Sequence, residues 1–166
     1  MNNNNSMESK LDALYKEFIL QIISVIPVDW SEIYVQGSVS KGKESWGANF
    51  YFKEKSSQKF INGNNIPQIY NVSSSNYRNF LRKLNSLLLE IYDCFIEFGH
   101  EPWYEFTMHI KDSGAFNIDF SYEYVELGQL MDIHRQLLWA YKTFSYIPED
   151  ETAKKALMDM ISSDNS

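Results

Sequence analysis

Cysteine is almost missing from this chain. Cys94 is the only one among 166 residues, so no internal disulfide can form. It falls inside an apolar helical pattern, where a free thiol behaves as a small hydrophobe. A thiol nucleophile working with a distant histidine is the rarer alternative. A reducing cytoplasm is the simplest setting. Long apolar runs are missing too. No stretch approaches the roughly 18 consecutive apolar residues that would span a bilayer, so no membrane association is expected. The amino-terminal MNNNNSMESK has no apolar centre and does not read as a secretory signal. Residues 1–9 are a polar tract with little to bury and are expected to be disordered, as is the tail 163–166. Residues 10–162 are expected to form one domain.

An excess of positive charge is also lacking. The net charge is −7, and residues 1–100 are balanced at ten acidic and ten basic side chains. Residues 101–166 hold twelve acidic residues against Lys111, Arg135, Lys142, Lys154 and Lys155. Such a balance repels phosphate backbones, so direct nucleic-acid binding is not expected. Ordinary solubility charge explains net charge alone.

The common chemical signatures are missing as well. His100, His109 and His134 have no second His, Cys or paired carboxylate at ligand spacing, so no metal is expected. No G-x-S-x-G turn and no glycine-rich dinucleotide fingerprint occurs. Gly37-Ser38-Val39-Ser40-Lys41-Gly42-Lys43 has a phosphate-loop flavour, but Glu44 stands where Ser or Thr is needed and no helix pattern follows. Asp119, Glu123 and Glu126 could pair as acid and base, although alternating acids on a strand are more often its wet face. Lys41, Lys43, Lys53, Lys55 and Lys59 could bind anions, although lysines commonly guard edge strands. The expectation is a protein that binds, with no catalytic residues and no cofactor.

What is present is strong patterning. Around Asp112-Ser113-Gly114, Phe106, Met108 and Ile110 alternate with Thr107 and His109, and Phe116, Ile118, Phe120 and Tyr122 alternate with Asn117, Asp119 and Ser121. Period-two alternation on both sides of a Gly turn predicts a β-hairpin with one apolar face and one wet face. We take it as the middle of an antiparallel sheet. Earlier strands are expected over Glu32–Val39 and Gly47–Lys53, with Phe60-Ile61 as a short third.

Helical spacing predicts a first helix from about Glu8 to Ile26, closed by Pro27. The second, about Ser74 to Phe98, carries Tyr77, Leu81, Leu84, Leu88, Ile91, Phe95 and Phe98 in steps of four and three. Serines at its start and Gly99 at its end supply caps. Heptad-like spacing also suits a coiled-coil dimer, but the apolar hairpin face needs a cover, and packing across the sheet is the preferred solution. Residues 60–70 look irregular, with Gly63, Asn64, Asn65 and Pro67 as turn formers. Val125–Met131 reads as a loop. Asp132 caps a helix over Ile133–Phe144, and Glu149-Asp150-Glu151 opens a last one to about Ile161. The order α-β-β-(β)-α-β-β-α-α predicts an α+β fold, an antiparallel sheet of four to five strands covered on one face by helices.

Six short motifs in this order resemble one family. They are Ile26-Pro27-Val28-Asp29-Trp30 with Ile33-Tyr34, Ile66-Pro67-Gln68-Ile69-Tyr70-Asn71-Val72-Ser73, and Glu101-Pro102-Trp103. The others are Ser113 to Phe120 with Tyr122, Trp139-Ala140-Tyr141-Lys142, and Ile147-Pro148-Glu149-Asp150-Glu151. From about Leu11 to Ala156 the chain resembles the YezG/EsaG immunity (antitoxin) family. Ala115 departs from it, standing where that hairpin has Lys or Arg. The resemblance implies a cytoplasmic immunity protein of Gram-positive bacteria. Its partner would be the C-terminal nuclease domain of a polymorphic toxin exported by type VII secretion, and it would block that domain. An adaptor or export chaperone is the alternative. When free it is expected to be a monomer or weak homodimer. A nuclease cleft is cationic, so the surface expected to bind toxin is acidic: Glu123, Glu126, Asp132, Glu149, Asp150 and Glu151, with Glu105 and Asp119.

Overall fold

A computed structural model describes residues 3–126 and 132–164. The chain divides into two compact units, Met1–Val125 and Glu126–Ser166.

The first unit begins with α1, Asn3–Val25, which starts ahead of the expected Glu8. Met7 is buried and stands one helical step before Leu11, so the apolar stripe itself extends toward the amino terminus. Five strands follow in the order β3-β2-β1-β4-β5, every neighbouring pair antiparallel. They are β1 (Trp30–Val39), β2 (Trp46–Glu54), β3 (Phe60–Asn62), β4 (Glu105–Lys111) and β5 (Phe116–Ser121). The α+β fold with an antiparallel sheet and covering helices is therefore the observed one.

One placement differs from expectation. The hairpin β4–β5 is not the middle of the sheet; β1 is, and β5 forms an edge. Periodicity reports which face a residue occupies, not how far its strand lies from the edge. The central position of β1 shows in its burial, since its polar Gln36 and Ser38 are nearly as buried as Val35 and Val39. The hairpin turn itself is as expected. Gly114 has φ +92°, and the Lys111 N–H donates to the Ala115 carbonyl at 2.9 Å.

A short helix, α2 (Ile66–Tyr70), occupies the stretch expected to be irregular. Pro67 lies in its first turn, where a missing N–H costs nothing, and Asn71 ends it at φ 56°. Ile66 is fully buried and anchors it. The long helix α3 spans Ser74–Glu97. Ser73 accepts from the Asn76 N–H, and Gly99 at φ +77° donates its N–H to the Ile96 carbonyl at 3.0 Å. Its apolar stripe is spent inside the chain. Leu84, Leu88 and Ile91 are fully buried in one cluster with Phe18 and Ile22 of α1 and with Val35, Phe52 and Met108 of the sheet. That leaves no heptad seam for a coiled coil. Lys10 of α1 pairs with Glu97 of α3.

Glycine marks tight approaches in this core. A Cβ on Gly37 would meet the Phe106 ring at 2.5 Å, and one on Gly63 would meet the Phe50 ring at 2.5 Å. The phosphate-loop flavour of residues 37–43 is thus a packing glycine in a central strand followed by a turn.

Two tyrosines give the core a pH limit. Burial pushes the Tyr15 phenol up to about 12. The Tyr77 phenol is also raised by burial, and its hydroxyl donates to the Gly63 carbonyl at 2.6 Å. A phenol whose pKa rises on folding holds its proton more tightly in the folded state. Its contribution is intact below the ordinary value of 10 and is lost as pH climbs through about 12. We expect the urea midpoint to hold up to about pH 10 and then to fall. The slow component of the phenolate absorbance change should appear only as the chain unfolds. A midpoint unaffected up to pH 12 would contradict the buried environment of these rings.

The second unit contains α4 (Ile133–Phe144) and α5 (Glu151–Asp164). Asp132 caps α4, accepting from the His134 N–H at 2.9 Å, and Ser145 closes it at φ 61°. Leu137, Ala140 and Leu157 are buried. Of the loop expected over Val125–Met131, residues 127–131 lie outside the described residues.

Candidate functional site

Within the first unit, α1 and α3 pack on one face of the sheet, and the other face carries the polar alternates of the strands. Tyr34 of β1 is flanked by Tyr51 of β2 and His109 of β4, and the row runs on to Asn62 and Asn117. Glu32 lies between Lys53 and Lys111 in the next row, with Phe60 outside Lys53. These positions build a compact cluster. The His109 ring stacks on Tyr34 at 4.2 Å and 2° between planes, and its Nε2 lies 3.0 Å from Glu32 Oε1. Phe60 packs on the other side of Tyr34 at 5.9 Å, and the Lys53 ammonium sits 5.7 Å from the Phe60 ring. Burial, then the neighbouring Glu32 carboxylate, pushes the Tyr34 phenol up.

Sequence reasoning placed His109 on the wet side of its strand and missed this cluster. The signal was available in the alternation of Glu32, Tyr34 and Gln36, but the partner of Glu32 lies 77 residues away.

The expected acidic residues divide between the two units. Glu105, Asp119 and Glu123 belong to the first. Glu105 is half-buried and accepts from Gln36 Nε2 at 2.6 Å. Asp119 is exposed on β5 opposite Thr107, diagonal to Glu105 on the same face. Glu123 is exposed, its N–H donating to Ser121 Oγ at 3.3 Å.

Glu126, Asp132, Glu149, Asp150 and Glu151 belong to the second unit. Asp132 and Asp150 are helix caps; Asp150 Oδ2 accepts from the Ala153 N–H at 2.8 Å. Glu151 lies in the first turn of α5, where a carboxylate favours the helix dipole. Glu126 and Glu149 are exposed, and Glu149 helps burial to hold the Tyr146 phenol up. Asp119, Glu123 and Glu126, weighed as an acid-base set, are all solvent-exposed.

The lysine run resolves into individual partners. Lys43 pairs with Asp93 at 2.7 Å, Lys53 with Glu32 at 3.9 Å and Lys55 with Asp112 at 3.8 Å. Lys41 lies 4.5 Å from the Tyr124 ring. The Lys43 and Lys55 pairs are exposed and contribute little each, and all three pairs spend positive charge that an anion site would need. Cys94 is buried, and that burial pushes its thiol up, away from nucleophilic chemistry. Among the described residues no three His, Cys, Asp or Glu side chains stand close enough to share a metal.

The whole arrangement is a folded scaffold with a patterned outer surface, and the comparisons with known proteins concern that scaffold nearly end to end. The chain is 29% identical over 152 residues to the immunity protein YezG of Bacillus spizizenii, covering 92% of this chain and 93% of that one. It is 27% identical over 148 residues to the immunity protein YezG of Bacillus subtilis, covering 89% and 97%. It is 31% identical over 150 residues to the type VII secretion system protein EsaG of Staphylococcus aureus, covering 88% of each. The pattern described as immunity protein YezG-like matches residues 11–158, and the chain belongs to that family of immunity proteins.

Proposed function

We propose that this immunity protein binds the C-terminal nuclease domain of a polymorphic secreted toxin in the cytoplasm and neutralises it there, performing no reaction of its own. Near-complete alignment with proteins named as immunity proteins carries the reading. The charge distribution supports the choice of a nuclease. An enzyme that holds a phosphate backbone has a cationic cleft, and acidic side chains speed association with it and fit its potential. Of the expected contact residues, Asp119 and Glu123 on the first unit and Glu149 and Glu151 on the second are exposed. Asp132 and Asp150 serve the fold first, so their loss would confuse binding with stability.

Charge reversal should therefore avoid the caps. Glu149→Lys with Glu151→Lys, and separately Asp119→Lys with Glu123→Lys, are expected to weaken the complex about tenfold or more and to flatten its salt dependence. Titration of an inactivated nuclease domain at low and high salt measures both. Affinity and salt slope unchanged in both pairs would reject the acidic surface.

A second reading has one observation in its favour, the naming of the Staphylococcus aureus relative as a type VII secretion system protein. An adaptor would bind the toxin and leave its activity intact. A nuclease assay with and without this protein separates the two, since immunity requires loss of cleavage in step with complex formation.

A further inference from the structure

The sheet has two edges, and they are managed differently. At one end β3 is three residues long and directly follows Lys59, two ordinary means of preventing unwanted strand pairing. At the other end β5 spans six residues, Phe116–Ser121, with no lysine and no proline in it. Its register with β4 runs without a shift from Ile110↔Phe116 to Glu105↔Ser121, so no bulge interrupts the ladder between those pairs. Half of the strand is exposed, namely Phe116, Asn117 and Asp119.

The hydrogen-bond phase identifies which groups the edge offers. The Lys111 N–H donates to the Ala115 carbonyl, which makes 111 and 115 a bonded pair. Antiparallel pairs alternate, so Asn117, Asp119 and Ser121 bond back to β4, and the backbone N–H and C=O groups of Phe116, Ile118 and Phe120 point away from the sheet. Among the described residues no strand takes them up. The side chains of those three residues lie on the apolar face, where Phe116 is 36% exposed. Asp119 lies on the wet face, Glu123 follows the strand, and residues 116–126 contain no Lys or Arg.

We propose that the β5 edge is a docking site for an extended segment of the toxin partner, which adds to the sheet as a sixth, antiparallel or parallel strand. The added strand is apolar on the side that meets Phe116 and Ile118, and carries Lys or Arg on the side that meets Asp119. Main-chain bonds to Phe116, Ile118 and Phe120 give it register, and the charge gives it selectivity. A second copy of this chain is a poorer occupant, because its own β5 would bring a second Asp119 and no cation to the seam. The inference rests on the immunity reading and specifies how the partner is held.

The experiment uses the full chain and a panel of inactivated C-terminal nuclease domains from type VII-secreted toxins. Residue-resolved hydrogen exchange is followed on the free chain and on the complex with the domain that co-purifies. We expect the amides of Phe116, Ile118 and Phe120 to exchange rapidly when free and at least about tenfold more slowly in the complex, with the β3 edge unchanged. Phe116→Pro removes one outward N–H without touching the β4 ladder and is expected to weaken binding about tenfold. Asp119→Lys, which leaves the backbone alone, should weaken it comparably and reduce the salt slope. A complex whose β5 amides remain as fast as in the free chain overturns the edge proposal and leaves the immunity reading standing. No complex with any domain of the panel overturns both. Slowed β5 exchange in the chain alone, rising with its concentration, would assign the edge to self-association and likewise overturn the proposal.

Discussion

Trp103→Ala is expected to remove about 3–5 kcal/mol of stability, the range for emptying a fully buried aromatic site. Trp103 has no exposure at all. Its ring is held by Tyr92 at 5.4 Å and Phe95 at 6.2 Å from α3, and by Phe106 at 5.3 Å and Phe120 at 5.4 Å from the outer hairpin. Helix and sheet meet across this one side chain, so the walls of the cavity belong to two rigid elements and cannot collapse far. Against a total of roughly 5–15 kcal/mol for a domain, the loss is large and should lower Tm by on the order of 10 °C. Trp103→Phe should behave differently. The indole Nε1 finds no acceptor among the described residues, so the aromatic replacement removes a buried, unpaired donor along with some volume. We expect it to stay within about 1.5 kcal/mol of wild type. Urea unfolding of the two variants tests the pair. Equal losses would mean that a phenyl ring does not fill the site and that the full indole is required.

The Glu101-Pro102-Trp103 motif shows what a sequence can and cannot convey. Pro102 ends the helical pattern, and Trp103 begins the next element, and both positions were readable. That the ring would close the gap between α3 and the hairpin depends on contacts with residues before and after it in the chain. The same limit applies to the sheet. Alternation in residues 106–122 revealed the hairpin, its turn and its wet face, because those are local properties. Its lateral place was not local, and the hairpin lies at the edge because β1 pairs with both β2 and β4.

On the surface, the acids were visible one by one. Two of them, Asp132 and Asp150, are caps, and an N-cap carboxylate and a partner-binding carboxylate look alike until a backbone N–H is found 2.8–2.9 Å away. The cluster of Glu32, Tyr34 and His109 was invisible for the opposite reason: each member is unremarkable in its own segment, and only strand pairing brings them together.

Gly37 offers a test in which the sign of the effect decides. In an ordinary strand, replacing glycine by alanine restricts the unfolded chain and stabilises by about 0.4–1 kcal/mol, provided the native conformation suits alanine. Gly37 has no left-handed backbone to forbid the change. What forbids it is space. The new methyl would sit 2.5 Å from the Phe106 ring and 2.8 Å from Leu88 Cδ1. Neither neighbour has room to retreat, since both are fully buried and Phe106 is packed against Phe18 at 5.8 Å and Trp103 at 5.3 Å. Overpacking of this kind costs about 1–3 kcal/mol, which exceeds the entropic gain. Gly37→Ala should therefore destabilise, and Gly37→Val should do so more strongly. Adding Leu88→Ala creates space on one side of the methyl. The double variant should lose less than the two single losses added together, a coupling that a double-mutant cycle reads directly. If Gly37→Ala instead raises the urea midpoint, the close approach of α3 to the central strand is wrong, and with it the reason the sheet tolerates a glycine at its middle.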